Sequence, residues 1–517
     1  MYRFEDFSLD TERLELRAGS SVIDVQPQVF SLIAYLLENR HRVVTKDEIF
    51  DEVWDGRIVS DGTLNARINA ARRALSDDGK DQKVIRTFPR RGFRFVAAVT
   101  EGDDGDEPNV VRDVAPVVPA VPLALDKPSI AILPFDNLSS DPDQAFFADG
   151  LTEDLITDLA KNTDLFVIAR NSSFAYKGTS PDIRDVGQSL GVAHVLEGSV
   201  RKAGNQVRIN AQLADAITGG HVWAERYDGE MEDIFALQDE ITAQIVAALQ
   251  VNLAPGQGSA ARTTESAEAY ELFLRARATF YRFTPAAFKE TVHLAEQAIT
   301  IDPNFADAYA TMVFPHQSGW SFMWEGYDDA LDEALRAAVR GVELAPHSAF
   351  CQSRLGWVHT IKGSHDDART HFEKAIEIAP NDADTYGYYA EAMNFAGRPQ
   401  RGVEMVDMAL KFDPFIPPNC AYHLGHALFL LERHEEAEGH VRDCIDVAPG
   451  FPPAHVTMTA LLSEMGRADE AAEQVKALLA IHPLVTVAKF GERYPYADDG
   501  HRKRVLDGLR AAGLPEN

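Results

Sequence analysis

Asparagine and arginine recur at helical spacing along the predicted helix Thr63–Leu75, and both side chains can hydrogen-bond the edges of nucleobases. When the side chain makes two hydrogen bonds to one base, Asn recognises adenine and Arg recognises guanine. The helix buries Leu64, Ile68, Ala71 and Leu75 along one stripe. Its exposed stripe holds Asn65, Asn69 and Arg72, flanked by Arg67 and Arg73. This pattern predicts base recognition by a helix that enters a groove of duplex DNA.

A basic hairpin is predicted after this helix, with strands Val84–Thr87 and Gly92–Val96 and the tip Phe88-Pro89-Arg90-Arg91. Its cations can follow a phosphate backbone or enter a minor groove. A solvated helix face is the simpler reading of a charge cluster, but a basic helix followed by a basic hairpin favours contact with DNA. The predicted DNA-binding residues are Trp54, Arg57, Thr63, Asn65, Arg67, Asn69, Arg72, Arg73, Arg86, Thr87, Arg90 and Arg91.

The elements that must position these side chains are predicted within residues 1–100. Three short strands (Tyr2–Phe4, Leu14–Arg17 and Ser21–Val25) precede a helix over Gln28–Asn39. Thr45 then caps a helix that ends at Trp54, with Glu48 in the capping-box position.

Residues 1–99 hold 16 basic and 16 acidic side chains, so the rest of the chain accounts for the net charge of −30. That excess of acid keeps nonspecific affinity for DNA low outside the basic surface.

The segments VVTKDEIFDEVW, GTLNARINAARRALSDDG and VIRTFPRRGFRF together resemble the OmpR/PhoB-type winged helix-turn-helix. The resemblance implies that Thr63–Leu75 is the recognition helix and that Trp54–Gly62 is a loop contacting phosphate or RNA polymerase. Ala70 and Pro89-Arg90 depart from the family pattern, so the operator sequence cannot be transferred. The N-terminal position of this domain resembles the CadC/ToxR/HilA-like regulators, which implies a transcriptional regulator and favours an activator.

A mixed α/β region is predicted over residues 128–253, after an acidic, Pro-rich linker over 101–127. Its strand candidates alternate with helices Thr152–Lys161, Ile183–Leu190 and Glu232–Leu253. The segments SIAILPF, FFADGLTEDLITDLA and GVAHVLEGSVRKAGNQVRINAQLADAITGGHVWAERYD resemble a TolB-amino-terminal-like domain.

Residues 266–514 repeat with a period near 34. Their marker prolines are Pro303, Pro346, Pro380, Pro414, Pro449 and Pro483, at intervals of 43, 34, 34, 35 and 34. Small residues such as Gly356 and Ala368 recur where two helices would cross closely. Such a period is typical of tetratricopeptide repeats, in which each helical hairpin buries its apolar face against the next. We therefore predict a multidomain α+β chain: an N-terminal winged helix, a middle α/β sandwich and an all-α solenoid of about six hairpins, capped by His501–Leu514.

No catalytic motif is found, so no enzyme activity and no cofactor are predicted. The acids Asp149, Glu153 and Asp154 are read as favourable charges at a helix N-terminus rather than as metal ligands. Cys420, His423 and His426 lie on one repeat helix but lack an evident fourth ligand, so no metal is predicted. The longest apolar stretch, Val114–Leu125, contains three prolines and is too short for a membrane span.

The sequence thus predicts a cytoplasmic, sequence-specific DNA-binding regulator that responds to a protein or small-molecule effector through residues 127–517 and forms a homodimer. The aromatic residues predicted to anchor a partner in the solenoid groove are Phe350, Trp357, Tyr422 and Phe429. The alternative is a repeat scaffold whose winged helix mediates protein contact. A basic helix together with a basic wing favours the regulator.

Overall fold

The computed structural model describes residues 127–139, 141, 144–179, 181–249, 251, 263–324 and 326–517, and in the N-terminal part residues 2–4, 7–10, 15–18, 21–23, 27–40, 42–46, 48–49, 68, 71–72, 75, 77, 83–88, 91–97 and 99–101. The chain divides into two compact units, Met1–Ala115 and Pro116–Asn517.

An antiparallel sheet, one helix and a hairpin surround the core of the N-terminal unit. The strands are β1 (Tyr2–Phe4), β2 (Phe7–Asp10), β3 (Glu15–Ala18), β4 (Ser21–Ile23), β5 (Ile85–Phe88), β6 (Gly92–Phe95) and β7 (Thr100–Glu101), and the helix is α1 (Pro27–Glu38). The sheet order is β4-β3-β2-β1-β7, and β5 pairs with β6 in a separate hairpin. Ile33, Leu36 and Leu37 of α1 are fully buried against Phe93 and Phe95 of the hairpin. The sequence prediction missed β2, whose Phe7 and Leu9 alternate into the core.

The middle of the chain folds into a mixed sheet with helices packed on it. Its strands are β8 (Ser129–Ile132), β9 (Asp136–Asn137), β10 (Phe166–Val167), β11 (His194–Ala203), β12 (Gln206–Asp215) and β13 (His221–Glu230), and its helices are α2 (Ala145–Ala160), α3 (Arg170–Phe174), α4 (Ile183–Leu190) and α5 (Ile234–Ala248). β8 pairs in parallel with β10 and β11, and β11, β12 and β13 pair antiparallel. The sequence prediction missed β13 and began α2 seven residues too late.

Six helical hairpins and a cap follow, as the proline spacing predicts. The helices are α6 (Ala267–Phe280), α7 (Pro285–Ile301), α8 (Ala306–Ser321), α9 (Ala330–Leu344), α10 (Ala349–Ile361), α11 (His365–Ile378), α12 (Ala383–Phe395), α13 (Pro399–Phe412), α14 (Pro418–Leu430), α15 (His434–Val447), α16 (Pro452–Glu464), α17 (Ala468–Ile481), α18 (Val487–Arg493) and α19 (Asp499–Ala511). Glycine is required where the two helices of a hairpin cross: a Cβ on Gly425 would lie 2.6 Å from Cγ2 of Val441. The cap helix α19 packs on α16, where Gly508 faces Ala460.

The short β10 edge of the sheet packs directly on the helical array. The Phe166 and Phe412 rings lie 5.4 Å apart, and the amide of Ala169 donates to the carbonyl of Phe412 over 2.7 Å. Asn381 donates to the carbonyls of Asn162 and Leu165 over 3.0 and 2.8 Å. The α/β region and the helical array therefore share one core within the second unit.

Candidate nucleic-acid interface

The wing hairpin β5–β6 is held by two buried charged side chains. Arg72, 6% exposed, donates from Nε and an Nη to the carbonyl of Ile85 over 3.0 and 2.8 Å, and from an Nη to Oγ1 of Thr87 over 2.7 Å. Asp77, also 6% exposed, accepts three backbone N–H groups, those of Lys83, Val84 and Ile85, over 2.8 to 3.1 Å. These bonds hold the start of β5 in place and connect β5 to the helical segment that carries Arg72.

Gly92 and Val44 lock the second strand of the wing. Val44 and Phe93 exchange backbone hydrogen bonds of 2.9 Å in both directions. Gly92 has φ 134°, and a Cβ there would lie 1.8 Å from the Val44 carbonyl oxygen. Only glycine allows this approach. The predicted capping box is present nearby, since Thr45 and Glu48 hydrogen-bond reciprocally. The backbone N–H of Thr45 holds the pKa of Glu48 below its usual value.

The hairpin register places arginines on its outer face. Arg86 lies directly opposite Arg94, so the two side chains share one face of the hairpin. Arg86 is exposed, whereas Arg94 is half-buried and donates from Nε to the carbonyl of Arg40 over 2.9 Å. Arg91, at the tip, is also exposed. Like charges directly opposite each other repel, and an anion placed against them relieves that repulsion. The face therefore suits a phosphate.

The predicted DNA-binding residues divide into three groups. Arg86 and Arg91 are exposed on the hairpin, and their contact with DNA stays a prediction. Arg72 and Thr87 contact each other under the hairpin, so the prediction that Arg72 reads bases is wrong for this structure, because its guanidinium is occupied inside the unit. The remaining predicted residues, Trp54, Arg57, Thr63, Asn65, Arg67, Asn69, Arg73 and Arg90, lie outside the described residues. Sequence reasoning did not single out Arg94, whose position opposite Arg86 depends on the turn geometry.

Three of the four aromatics predicted to anchor a partner are buried in the helical array. Trp357 donates to Gln317 over 2.9 Å, and Tyr422 donates to Glu391 over 3.2 Å. Phe429 lies fully buried beneath the guanidinium of Arg504. Only Phe350 is half-exposed, on the wall of a cavity. These three predicted anchors therefore pack inside the array.

That cavity, of about 270 Å³, lies between α2 and α3 on one side and helices α6, α8, α10 and α12 on the other. Its wall carries seven carboxyl groups, Glu153, Asp154, Asp158, Asp307, Asp382, Asp384 and Asp413, and four cations, Lys161, Arg170, Arg277 and Arg354. The carboxylates therefore outnumber the cations.

Several of these charges are paired across the contact between the α/β region and the array. Arg277 bonds both Glu153 and Asp154, and Glu153 also bonds Arg170. Because α2 begins at Ala145, these acids lie inside the helix, and the prediction of charges at its N-terminus is wrong. The guanidinium of Arg354 instead stacks on Phe314 and Phe350, at 4.4 and 4.6 Å from the ring centroids.

Burial shifts the pKa values of the cavity acids that belong to the helical array. It raises the pKa of Asp382 to about 6, with a further contribution from the Asp384 carboxylate, and the pKa of Asp413 to about 6. It also raises the pKa values of Asp307 and Asp384. The raised pKa values show that the charged forms of these carboxyl groups are disfavoured, so a positive group in the cavity would stabilise them, including Asp384, whose side chain is exposed.

The histidine-rich helix α14 does not form a metal site in the part of the chain that the structure describes. His426 is fully buried between Glu391, at 2.8 Å from Nδ1, and the Tyr496 hydroxyl, at 2.9 Å from Nε2. Burial lowers the pKa of the neighbouring His423 to about 4. These groups connect α12, α14 and the segment before α19.

None of the described helices is long and apolar enough to cross a membrane.

Comparison with known proteins bears on both units. Residues 20–95 match the family model described as "Transcriptional regulatory protein, C terminal". This segment is an OmpR/PhoB-type winged helix. Residues 352–382 match the tetratricopeptide repeat model. Both predictions are confirmed, and with them the prediction that the winged helix belongs to the class of DNA-binding transcriptional regulators.

Three curated relatives illustrate the range of similarity. The chain is 48% identical over 241 residues to putative adenylate cyclase 3 of Rhizobium meliloti (strain 1021), which covers 46% of this chain and 40% of that protein. It is 23% identical over 420 residues to the transcriptional regulator HilA of Salmonella typhi, covering 80% and 70%. It is 26% identical over 124 residues to the transcriptional activator CadC of Escherichia coli (strain K12), covering 24% of each. The chain thus spans less than half the length of the first of these relatives.

Proposed function

We propose that the whole chain is a sequence-specific DNA-binding transcriptional regulator, acting as an activator in the cytoplasm, where the chromosome lies. The match of residues 20–95 to the transcriptional-regulator model supports this proposal. The observation that carries it is the outer face of the wing, where Arg86 lies opposite Arg94 with Arg91 at the tip. A repulsive pair on a hairpin anchored by Arg72 and Asp77 is well suited to bind an anionic backbone.

The test is a titration of the full-length protein against duplex DNA from its own upstream region and against a scrambled duplex. We expect the logarithm of the binding constant to fall linearly with the logarithm of salt concentration, because phosphate contacts release counterions. Arg86→Ala and Arg91→Ala should each reduce that slope by about 0.9. Arg336→Ala, which removes an exposed arginine from α9, is the matched control. Salt-independent binding, or equal slopes in all variants, would favour the scaffold alternative.

Base recognition is proposed for Asn65, Arg67 and Asn69 on the recognition helix. Arg72 is reassigned to positioning because its guanidinium is bonded to the wing. Asn69→Ala should cost about 1–3 kcal/mol at the preferred site and relax the selected sequence. The loop Trp54–Gly62 is proposed to contact RNA polymerase or phosphate, on the family resemblance alone. An unchanged site-selection motif in Asn69→Ala would contradict the assignment of the base-reading stripe.

We further propose that the effector is a small polar molecule of net positive charge that binds in the cavity. The excess of carboxylates, the aromatic walls and the raised pKa values support this choice. Because both the α/β region and the array line the cavity, a ligand there would alter their packing. Cationic, zwitterionic and anionic metabolites can be compared by thermal shift of the full-length protein. Cationic ones should raise Tm for the wild type but less for Asp384→Asn, with the exposed Asp366→Asn as control.

The α/β region is proposed to be TolB-amino-terminal-like, on the three sequence segments that resemble that domain. The chain is proposed to lack enzyme activity, since more than half of the relative named as a putative cyclase lies outside the match. Incubation of the purified chain with ATP should give no cyclic nucleotide, and any turnover above that of a blank would contradict this assignment.

A further inference from the structure

The α/β sheet has one short edge and one long edge, and their surroundings differ. The β10 edge is two residues long and packs on the helical array through Phe166. The opposite edge, β13, is ten residues long and, among the residues that the structure describes, pairs only with β12. Seven of its ten residues are exposed. An edge strand presents a row of backbone N–H and C=O groups that can pair with another strand.

A bulge divides β13 into an irregular part and a regular part. Leu213 of β12 pairs with Trp223, but the next residue, Ala214, pairs with His221, so Val222 is the extra residue. Bulges interrupt edge pairing. From Trp223 to Glu230 the register with β12 is regular. This regular part contains no proline and is long enough for a paired strand.

The charge pattern of the regular part is complementary to itself in one antiparallel register. In a two-fold pairing, residues equally far from the axis lie opposite each other on the same face. An axis at Glu225 or at Arg226 places that residue against its own copy, and like charges repel. An axis at Tyr227 instead places Arg226 of each copy opposite Asp228 of the other. Within one copy Asp228 bridges Arg226 over 3.0 Å and also bridges Arg208, and the side chains of Arg226 and Asp228 stay accessible to a partner, at 62% and 43% exposure.

We propose that β13 is a homodimer edge: residues 224–230 of two copies pair antiparallel about Tyr227 and join the two sheets into one. This pairing avoids the bulge at Val222 and forms two Arg226–Asp228 contacts between the copies. Backbone pairing over seven residues with few apolar side chains makes a modest interface. It brings two winged helices together without requiring contact between them. The dimer serves the proposed DNA binding, but its formation does not depend on that function.

Charge reversal in the full-length protein tests the register. Arg226→Asp and Asp228→Arg should each weaken dimerisation by about tenfold or more, because each variant creates two like-charge contacts. The double variant Arg226→Asp/Asp228→Arg should restore it. Sedimentation equilibrium over a range of concentrations measures the association, and circular dichroism checks that each variant is folded. Hydrogen exchange of residues 223–230 should slow as the wild-type concentration rises.

The two single variants also separate this interface from general repulsion between acidic molecules. The chain carries a net charge of −30, so Asp228→Arg lowers that charge and would strengthen association through any nonspecific surface. The proposed edge predicts the opposite. Arg340→Glu on α9 is the control for added negative charge. A chain that stays monomeric at about 100 µM, a dimer unaffected by the single variants, or no restoration in the double variant would each overturn the proposal. DNA titrations of the same variants show separately whether the wing is functional.

Discussion

Arg72 and Arg86 have the same side chain in the same domain, and the structure places them in opposite environments. Arg72 is buried and makes three hydrogen bonds, to the Ile85 carbonyl and the Thr87 hydroxyl. Arg86 is exposed on the next strand. Replacing each with alanine therefore separates stability from DNA binding. The sequence pattern alone predicts that both touch DNA.

The expected magnitudes follow from burial. A hydrogen bond to a charged group contributes about 1.5–3 kcal/mol, and a buried acceptor left without a partner costs about 1–3 kcal/mol. Arg72→Ala removes three hydrogen bonds to two acceptors, and such losses are not fully additive. We therefore expect Arg72→Ala to lower the free energy of unfolding of the N-terminal unit by about 3 kcal/mol. Arg86→Ala should change it by less than about 0.5 kcal/mol, as exposed substitutions do.

Urea unfolding of residues 1–115, which contain the whole hydrophobic cluster of the unit, measures the first effect. Arg72→Lys keeps the charge but loses the planar fork, and it should lie between alanine and the wild type. DNA titration at low temperature, where the variants are folded, measures the second effect. The reasoning is refuted if Arg72→Ala unfolds like the wild type while changing the selected DNA sequence. Such a result would restore the base-reading role that the sequence predicts.

Three other substitutions test the described geometry. Gly92→Ala should destabilise the N-terminal unit by more than about 3 kcal/mol, because its Cβ would meet the Val44 carbonyl. The control Gly204→Ala, at φ 60° in open space, should cost only about 1–2 kcal/mol. Urea midpoints of the two variants measure whether the close contact at Gly92 adds to the cost of a positive φ. Arg277→Ala removes the cation that the buried Glu153 shares with the half-buried Asp154. It should cost the second unit about 3 kcal/mol in thermal unfolding, the low end for a broken buried pair because Glu153 keeps its bond to Arg170, and a loss below about 1 kcal/mol would contradict the role of that ion cluster. Burial raises the pKa of Asp413 to about 6, so the folded state binds this proton more tightly than the unfolded state does. The stability that protonated Asp413 contributes is therefore present below about pH 4 and is lost as the pH rises through about 6. Relative to the wild type, Asp413→Asn should therefore gain stability between pH 4 and 7, and parallel pH profiles would show that the shift is absent.

The local order of the chain was largely predictable, and the reason is periodicity. The proline interval of about 34 residues locates all six hairpins, and Gly425 lies where its helix meets Val441. The reciprocal Thr45–Glu48 cap involves neighbours in sequence, so it too is readable. One failure occurred where the pattern is ambiguous. Strand β13 exposes residues on both faces, so it lacks the alternation of apolar and polar residues that marks a half-buried strand.

The sequence by itself determined which segments form helices and hairpins, and that residues 20–95 belong to a winged helix. Hydrophobic period, caps and turn residues act over a few positions, and each can be read from the chain. Only the tertiary structure decided which side of an element is covered. Arg72 lies on a polar stripe in sequence but under the wing in space, and Tyr422 is buried by neighbouring helices. Burial depends on contacts between residues far apart in the chain, so the partner of a polar or aromatic side chain cannot be read from its own neighbourhood.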